Sequence, residues 1–212
     1  KERFISNGIS PEKIKLTGIP IHPKFKKVTD RRAIMRTLGL SPELPVVLIM
    51  GGTQGIGPIR NMVRTLNRSR IELQMIIVAG ANKRLYNYLK RARWGSGKKI
   101  LVFGFVNNIN ELMEVSSLII TKPGGITIGE ALAKGLPLVI MKPIPGQEQM
   151  NTQYLIKNRV AIQINNLKDS EVLVKELLSK PGALKNIQEH ARQFAMPSSS
   201  LDIARQTLER IM

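Results

Sequence analysis

Six short apolar runs, each followed by a turn and then by a stretch with helical spacing, constrain the fold of this chain most. The runs cover residues 46–50, 74–78, 100–103, 118–121, 138–141 and 161–164. They consist almost entirely of Val, Ile, Leu and Met, as expected for strands that helices cover on both faces of a sheet. Strands that alternate with helices in this way build a parallel sheet. The pattern therefore predicts an α/β fold with a parallel sheet of about six strands.

The stretches between the runs predict helices over residues 58–67, 83–91, 109–116, 127–134 and 150–157. Three more helices are predicted after the last strand, over residues 170–178, 183–194 and 201–212, with Pro181 and Pro197 as breaks. This order is that of a Rossmann-like, doubly wound domain. Because the chain begins at Lys1 with what resembles the end of a helix, we expect a piece of a longer protein. Residues 1–16 are then a residual interdomain segment, and residues 17–212 form the domain.

The composition excludes several classes of protein. The chain has no Cys, which rules out a disulfide framework, a thiolate metal site and a cysteine nucleophile. With 42% hydrophobic and 23% charged residues, it has the composition of an ordinary globular protein rather than of a disordered one. No stretch of the sequence approaches the roughly 20 apolar residues of a membrane-spanning helix.

The charge indicates an anionic partner. Lys and Arg number 33 against 15 acidic residues, a net charge of +18. An anionic membrane surface attracts such a chain, and so does nucleic acid, through counterion release. Only 4% of the residues are aromatic, and no zinc-finger, RNP or GXXG signature is present, so we favour the membrane over a specific nucleic acid. Solvated charge spread along the chain is the third interpretation.

Doubly wound sheets bind ligands at the carboxyl ends of their strands, so the loops there are the candidate sites. The first, G-G-T-Q-G-I-G-P at residues 51–58, has small residues that let backbone N–H groups surround a phosphate at a helix start. It is neither G-x-G-x-x-G nor a P-loop, because no Lys-Ser/Thr pair follows. A phosphate-binding turn and an ordinary tight turn fit this segment equally well.

A second glycine turn, T-K-P-G-G-I-T-I-G-E, covers residues 121–130, and two such turns can face one diphosphate. Thr127 and Glu130 have the spacing of a capping box, in which Glu130 caps its own helix. The alternative is a carboxylate that accepts hydrogen bonds from both hydroxyls of a ribose. Local spacing does not separate these two interpretations.

Two further loops suit other parts of a ligand. K-P-I-P-G-Q-E-Q at residues 142–149 is stiffened by prolines and then presents amide and carboxylate groups, which suit a hydroxyl-rich ligand. The same polar residues also fit an ordinary helix N-terminus. G-F-V-N-N at residues 104–108 offers backbone groups and one aromatic ring to a flat base.

As a set, these segments resemble a known family. T-G-I-P-I-H-P-K-F, G-G-T-Q-G, G-F-V-N-N-I-N-E-L-M, T-K-P-G-G-I-T-I-G-E-A-L-A-K-G-L-P and P-I-P-G-Q-E-Q-M-N are similar to the C-terminal half of glycosyltransferase family 28. The likeness runs from about residue 17 to about residue 161. It is greatest to the branch of monogalactosyldiacylglycerol synthases and processive diacylglycerol glucosyltransferases. The resemblance implies the donor-binding half of a GT-B glycosyltransferase, whose N-terminal acceptor domain, with the catalytic base, is absent from this chain.

The resemblance also implies roles for single residues. Those implied for the diphosphate are Gly52, Thr53, Gln54, Gly55, Gly125, Ile126, Thr127 and His22. Val106 would bond uracil through its backbone, Glu130 would hold the ribose, and Gln147 and Glu148 would contact the sugar. His22 stands where relatives often have Arg, which makes the charge there pH-dependent. Thr53 stands where several galactolipid enzymes have Gly, so this loop does not reveal the donor sugar.

The implied reaction transfers glucose or galactose from UDP-glucose or UDP-galactose to diacylglycerol or a glycosyl-diacylglycerol, with inversion. We expect a cytoplasmic protein, peripheral on the inner face of the membrane. The sequence has no D-x-D motif, so we expect neither a metal nor another cofactor. Backbone amides and helix termini, with His22 or Lys122, would stabilise the leaving diphosphate. Without its base, the chain is expected to bind UDP-sugar with little or no turnover.

Other functions stay open. A lipid-intermediate transferase that uses UDP-N-acetylglucosamine belongs to the same family, and a sugar-nucleotide epimerase has a similar two-domain build. A basic nucleic-acid-binding domain is the non-enzymatic alternative. A dinucleotide oxidoreductase is disfavoured, because the glycine spacing is wrong and V-A-G-A stands where the second strand should end in an acidic residue.

Overall fold

One parallel sheet organises the computed structural model, which describes residues 1–143 and 145–211. Its strands are β1 (Val46–Met50), β2 (Gln74–Val78), β3 (Ile100–Phe103), β4 (Leu118–Thr121), β5 (Leu138–Ile140) and β6 (Ala161–Gln163). Their spatial order is β3-β2-β1-β4-β5-β6, and each neighbouring pair is parallel. The predicted α/β class is confirmed. Ile144 in the third loop and Met212, the predicted end of the last helix, lie outside the described residues.

Helices cover both faces of the sheet. They are α1 (Glu2–Ser6), α2 (Arg31–Leu38), α3 (Ile59–Arg68), α4 (Lys83–Arg91), α5 (Ile109–Val115), α6 (Gly125–Ala133), α7 (Gln147–Lys157), α8 (Ser170–Ser179), α9 (Pro181–Phe194) and α10 (Ser199–Ile211). Apolar side chains of α3, α4 and α8 pack on one face, and those of α2, α5, α6 and α7 pack on the other. Adjacent residues of a strand point to opposite faces of the sheet. Leu48 packs in the core on one face and Ile49 in the core on the other, and both are fully buried. The strands therefore have no polar side, which accounts for their unbroken apolar sequence.

Several helices begin earlier than the sequence predicts. Helix α6 begins at Gly125 instead of residue 127, and α7 begins at Gln147 instead of residue 150. Gly125 has a low helix propensity, and residues 147–149 are all polar, so apolar spacing reveals neither start. Helices α9 and α10 also begin two residues before their predicted limits, at Pro181 and Ser199. Pro181 is therefore the first residue of α9, a position that proline favours.

Helix α2 was not predicted, because among its residues only Met35 is buried. Its ends are nevertheless marked in the sequence. Asp30 accepts a hydrogen bond from the Ala33 N–H at 3.0 Å, and Gly39 is left-handed with φ of 62°. These are the residue types expected at the two caps of a helix.

The strand order reverses between β1 and β4. From β1 the chain continues to β2 on one side, whereas from β4 it continues to β5 on the other. The helices after these strands consequently lie on opposite faces, and a crevice opens between the two carboxyl ends. The segment before α2 packs beside this crevice, with Ile21 and Phe25 buried, and a Cβ added to Gly129 of α6 would lie 3.1 Å from Ile21.

Candidate functional site

The turn after β1 is held in one conformation by short backbone contacts. The Ile56 N–H donates to the Gly51 carbonyl and the Gly55 N–H to the Gly52 carbonyl, each at 3.0 Å. A Cβ on Gly51 would lie 2.1 Å from the Ile56 oxygen, and one on Gly55 would lie 2.1 Å from the Ala79 oxygen. These two glycines are therefore required by the turn itself and by its packing on the loop after β2.

The other predicted residues of this turn face outward. Gly52 has φ of 67°, and a Cβ there would contact Lys122, which follows β4, at 3.0 Å. Thr53 and Gln54 are exposed. Gly52 thus lies on the crevice side of the turn, whereas the amide of Gly55 is already engaged within it.

The second turn ends in the N-terminus of α6. The Ile128 N–H donates to the Gly124 carbonyl at 3.0 Å, so the amides of Gly125, Ile126 and Thr127 form the first helical turn. Amides of a first turn have no acceptor within their own helix, and Gly124 offers no side-chain cap. These amides and the helix dipole favour an anion at this position.

The capping-box interpretation of Thr127 and Glu130 is wrong. Because α6 begins two residues earlier than predicted, Thr127 lies inside the helix with its side chain buried, and Gly124 is the N-cap. Glu130 then stands in the second turn of α6, beyond the reach of a cap, where its carboxyl is available for another role.

The side chain of Lys122 extends from the second turn toward the first. Its Nζ is 2.7 Å from Glu148 Oε1 at the start of α7, and the two side chains are only 25% and 16% exposed. A Cβ on Gly124 would lie 4.0 Å from the same Nζ. Lys122 therefore links the loop after β1, the loop after β4 and the predicted sugar-binding residue Glu148, whereas the Gln147 side chain is exposed at the same helix start.

Helix α7 is fixed against the second turn by a side-chain hydrogen bond. The Asn151 amide donates to the Pro123 carbonyl at 3.0 Å. Because Pro123 stands directly between Lys122 and the start of α6, this bond holds the polar start of α7 beside the crevice. The third predicted loop therefore ends at the same site as the first two.

Glu130 is a half-buried carboxyl with an altered pKa. Burial raises its pKa to about 7, against the opposing positive charge of Lys24. Lys24 lies in the turn Pro23–Lys26, and its Nζ also donates to the Asn107 carbonyl in the loop after β3. Val106, next to Asn107, packs partly buried against the core. The structure thus brings Glu130 and the loop containing Val106 near the same cation, Lys24.

His22 is exposed and caps the short helical turn that follows it. Its Nδ1 accepts a hydrogen bond from the Lys24 N–H at 3.1 Å, which assigns the ring proton of neutral His22 to Nε2. Its predicted contact with phosphate stays a prediction. Lys24 was missed as a site residue because its only sequence signal is its place after His-Pro, one residue before the buried Phe25.

No group of three His, Cys, Asp or Glu side chains that could hold a metal ion occurs within residues 1–143 and 145–211. The expectation that the reaction needs no metal stays a prediction. Among the helices that the structure describes, none combines the length and the apolar character needed to cross a membrane.

Comparison with known proteins identifies the family. Residues 46–209 match the C-terminal domain of glycosyltransferase family 28, and the chain belongs to this family. Among its relatives is a processive diacylglycerol beta-glucosyltransferase of Bacillus subtilis, 33% identical over 94% of this chain and 52% of the relative. Another is a probable chloroplastic monogalactosyldiacylglycerol synthase 3 of Oryza sativa, 33% identical over 96% of this chain and 42% of the relative.

A solved structure supports the fold. Alr3699/HepE of Anabaena, crystallised in complex with UDP, matches with a TM-score of 0.69 and 18% identity, over 98% of this chain and 61% of that one. The expected fold, the C-terminal half of a GT-B glycosyltransferase, is confirmed. The chain spans about half the length of the two sequence relatives.

Proposed function

We propose that this chain is the UDP-sugar-binding domain of a glycosyltransferase that transfers glucose or galactose to diacylglycerol or a glycosyl-diacylglycerol, with inversion. The observation that carries the proposal is the crevice between β1 and β4, where two glycine turns and Lys122 meet. Both sequence relatives are named for the synthesis of glycosylated diacylglycerol, and the Anabaena protein was crystallised with UDP.

In this proposal the two turns hold the diphosphate. The amides of Gly52, Thr53 and Gln54 contact it from one side, and those of the first turn of α6, residues 125–127, contact it from the other. Gly55 has a different role in this proposal. It shapes the turn, because its amide donates to the Gly52 carbonyl. Preorganised donors of this kind stabilise the charge that develops on the leaving UDP.

Lys122 supplies the mobile positive charge. When the donor binds, its Nζ turns from Glu148 to the diphosphate, and Glu148 together with Gln147 accepts hydrogen bonds from the sugar hydroxyls. Glu130 holds the ribose, the backbone of Val106 bonds the uracil, and His22 stands near the phosphates. Amides, the α6 terminus and Lys122 carry the charge balance without a metal ion.

The complete reaction also needs an acceptor site and a base. A separate N-terminal domain would bind the lipid acceptor and provide the base that deprotonates its attacking hydroxyl. Because the acceptor is a lipid, the protein would work as a peripheral protein on the inner, cytoplasmic face of a membrane.

Titration calorimetry tests the donor site. We expect the 212-residue chain to bind UDP, UDP-glucose or UDP-galactose at moderate salt. Lys122→Met should weaken binding of a UDP-hexose about tenfold or more, because it removes a charge-assisted hydrogen bond to phosphate. Lys175→Met, which removes an exposed lysine from α8, is the matched control and should bind like the parent chain. The absence of UDP binding would contradict the proposal.

The alternatives predict different results. A nucleic-acid-binding domain would be indifferent to UDP and would bind RNA or duplex DNA with a steep salt dependence. A lipid-intermediate transferase would prefer UDP-N-acetylglucosamine in the same titration. An epimerase would convert its sugar nucleotide without any lipid, so product analysis of the complete protein with and without diacylglycerol identifies it.

A further inference from the structure

One part of the fold is basic because it has almost no acidic residues to balance its Lys and Arg. Between residues 44 and 110 there are eleven Lys and Arg and a single acidic residue, Glu72. This segment forms strands β1, β2 and β3, which are one half of the sheet, together with helices α3 and α4, which cover one face of that half. The net charge of this segment is therefore about +10 of the +18 of the whole chain.

An open cavity of 630 Å³ lies in this basic region, between α3, α4 and the residues that follow α4. Four arginines line it, together with the rings of Tyr88 and Trp94, and they are Arg64, Arg68, Arg91 and Arg93. All four are exposed, and no acidic side chain of the described residues lines the cavity. In the ion pairs found within residues 1–143 and 145–211, none of these four arginines takes part.

Aromatic side chains position the cavity wall. The guanidinium carbon of Arg60 lies 3.9 Å from the centre of the Tyr88 ring, and that of Arg64 lies 5.4 Å from it, so cation–π attraction orders both side chains. The Trp94 Nε1–H donates to the Leu89 carbonyl at 3.3 Å, which ties the half-buried indole to the end of α4. These contacts fix the position of Arg64, Tyr88 and Trp94 in the cavity wall.

The cavity lies away from the donor crevice. In a βαβ unit the helix runs opposite to the strands, so the last turns of α3 and α4 lie at the end of the sheet where the strands begin. The crevice is at the other end, after Met50 and Thr121. A ligand in the cavity can therefore be bound together with a UDP-sugar.

The chemistry of the cavity suits a phosphate group. Guanidinium groups bind phosphate oxygens through paired hydrogen bonds, and several around one pocket favour an anion there. The two rings of the cavity form no series on which successive bases could stack, which disfavours a nucleic acid. We propose that this cavity binds the phosphate of an anionic phospholipid headgroup and so attaches the domain to a membrane. This inference rests on the proposed function, in which the acceptor is a membrane lipid.

Trp94 makes the proposal directly testable, because it is the one tryptophan in the chain. Its emission is measured, together with sedimentation, on vesicles of phosphatidylcholine alone and of phosphatidylcholine with phosphatidylglycerol. Only the second vesicles should shift the emission and sediment the protein. The double variant Arg91→Ala, Arg93→Ala should lose about tenfold or more in vesicle affinity.

Two further double variants distinguish binding in this cavity from general electrostatic attraction to the anionic vesicles. Arg32→Ala with Arg36→Ala removes the same charge from exposed positions on α2, which packs on the opposite face of the sheet, and should change the affinity less than about threefold. Arg91→Lys with Arg93→Lys keeps the charge but loses the paired hydrogen bonds, so it should bind more weakly than the parent chain. Thermal unfolding checks that each variant is folded.

Three outcomes would overturn the proposal. The first is an equal loss of vesicle affinity in the α2 and the cavity alanine variants, and the second is full vesicle affinity of the lysine variant. The third is binding of inorganic phosphate or of a single-stranded RNA by a chain that does not bind the vesicles. UDP-glucose titration of the same variants keeps the two proposals apart. Donor binding should be unchanged in the cavity variants, whereas failure of the donor site would show in the parent chain itself.

Discussion

At the scale of single residues, the raised pKa of the Glu130 carboxyl predicts that the affinity for the donor depends on pH. Burial raises its pKa to about 7 in the unliganded domain, so below that pH it is mostly protonated. A carboxylate that accepts hydrogen bonds from two ribose hydroxyls is favoured in its ionised form. Binding must then release a proton below pH 7, and the affinity for UDP-glucose should rise about tenfold between pH 6 and pH 8.

UDP-glucose suits this measurement because both ends of its diphosphate are esterified. Unlike UDP, it has no phosphate ionisation between pH 6 and pH 8. Glu130→Gln should bind more weakly at pH 8 and show a nearly flat profile. An affinity for UDP-glucose that stays level or increases toward pH 6 would contradict the role of Glu130.

At the scale of elements, the strands were predictable because they are buried on both faces. All six strands lie within one residue of their predicted limits, since a short continuous apolar run bounded by turn residues is typical of a buried strand. The starts of α6 and α7 were not predictable from apolar spacing, because Gly125 has a low helix propensity and α7 has no apolar residue before Met150. Their helical conformation is fixed by tertiary contacts, such as the hydrogen bond from Asn151 to Pro123.

The turn after β1 gives a prediction about stability at this scale. Gly55→Ala places a Cβ 2.1 Å from the backbone oxygen of Ala79 at a residue with φ of 56°. The left-handed conformation and the backbone clash together should lower the free energy of unfolding by about 2–4 kcal/mol. Denaturant unfolding measures the loss. Gly95→Ala is the control, because nothing lies within 4 Å of its added Cβ, and its effect should be close to zero. Equal stabilities of the two variants would show that the loops after β1 and β2 are not packed as described.

At the scale of the whole molecule, the sequence predicted which loops line the site but not how they are connected. The ion pair between Lys122 and Glu148 joins residues of two loops, and Lys24 reaches the Asn107 carbonyl from a segment that precedes the first strand. Such pairings follow from the strand order and from the path of the chain before β1. No local spacing reveals either pairing, so Lys24 and the partner of Lys122 emerged only with the fold.

Donor binding should also stabilise the domain as a whole. The proposed site is formed by loops after β1 and β4 and exists only in the folded state, so the binding energy of the donor adds to the free energy of unfolding. At a UDP-glucose concentration of about 100 times its Kd, the gain is about 2.7 kcal/mol. For a chain of 212 residues this corresponds to a rise in Tm of about 5–10 °C.

In the proposed site, amide groups and Lys122 would balance the charge of the diphosphate in place of a metal ion, so EDTA should leave this shift unchanged. NAD serves as the control ligand. It carries a diphosphate but no uracil, and should raise Tm by much less than UDP-glucose. If the shift required Mg²⁺, the diphosphate would be held through a cation, and the role assigned to Lys122 would be wrong. If NAD and UDP-glucose gave equal shifts, the turns would bind diphosphate without recognising the base, and the role assigned to Val106 would be wrong.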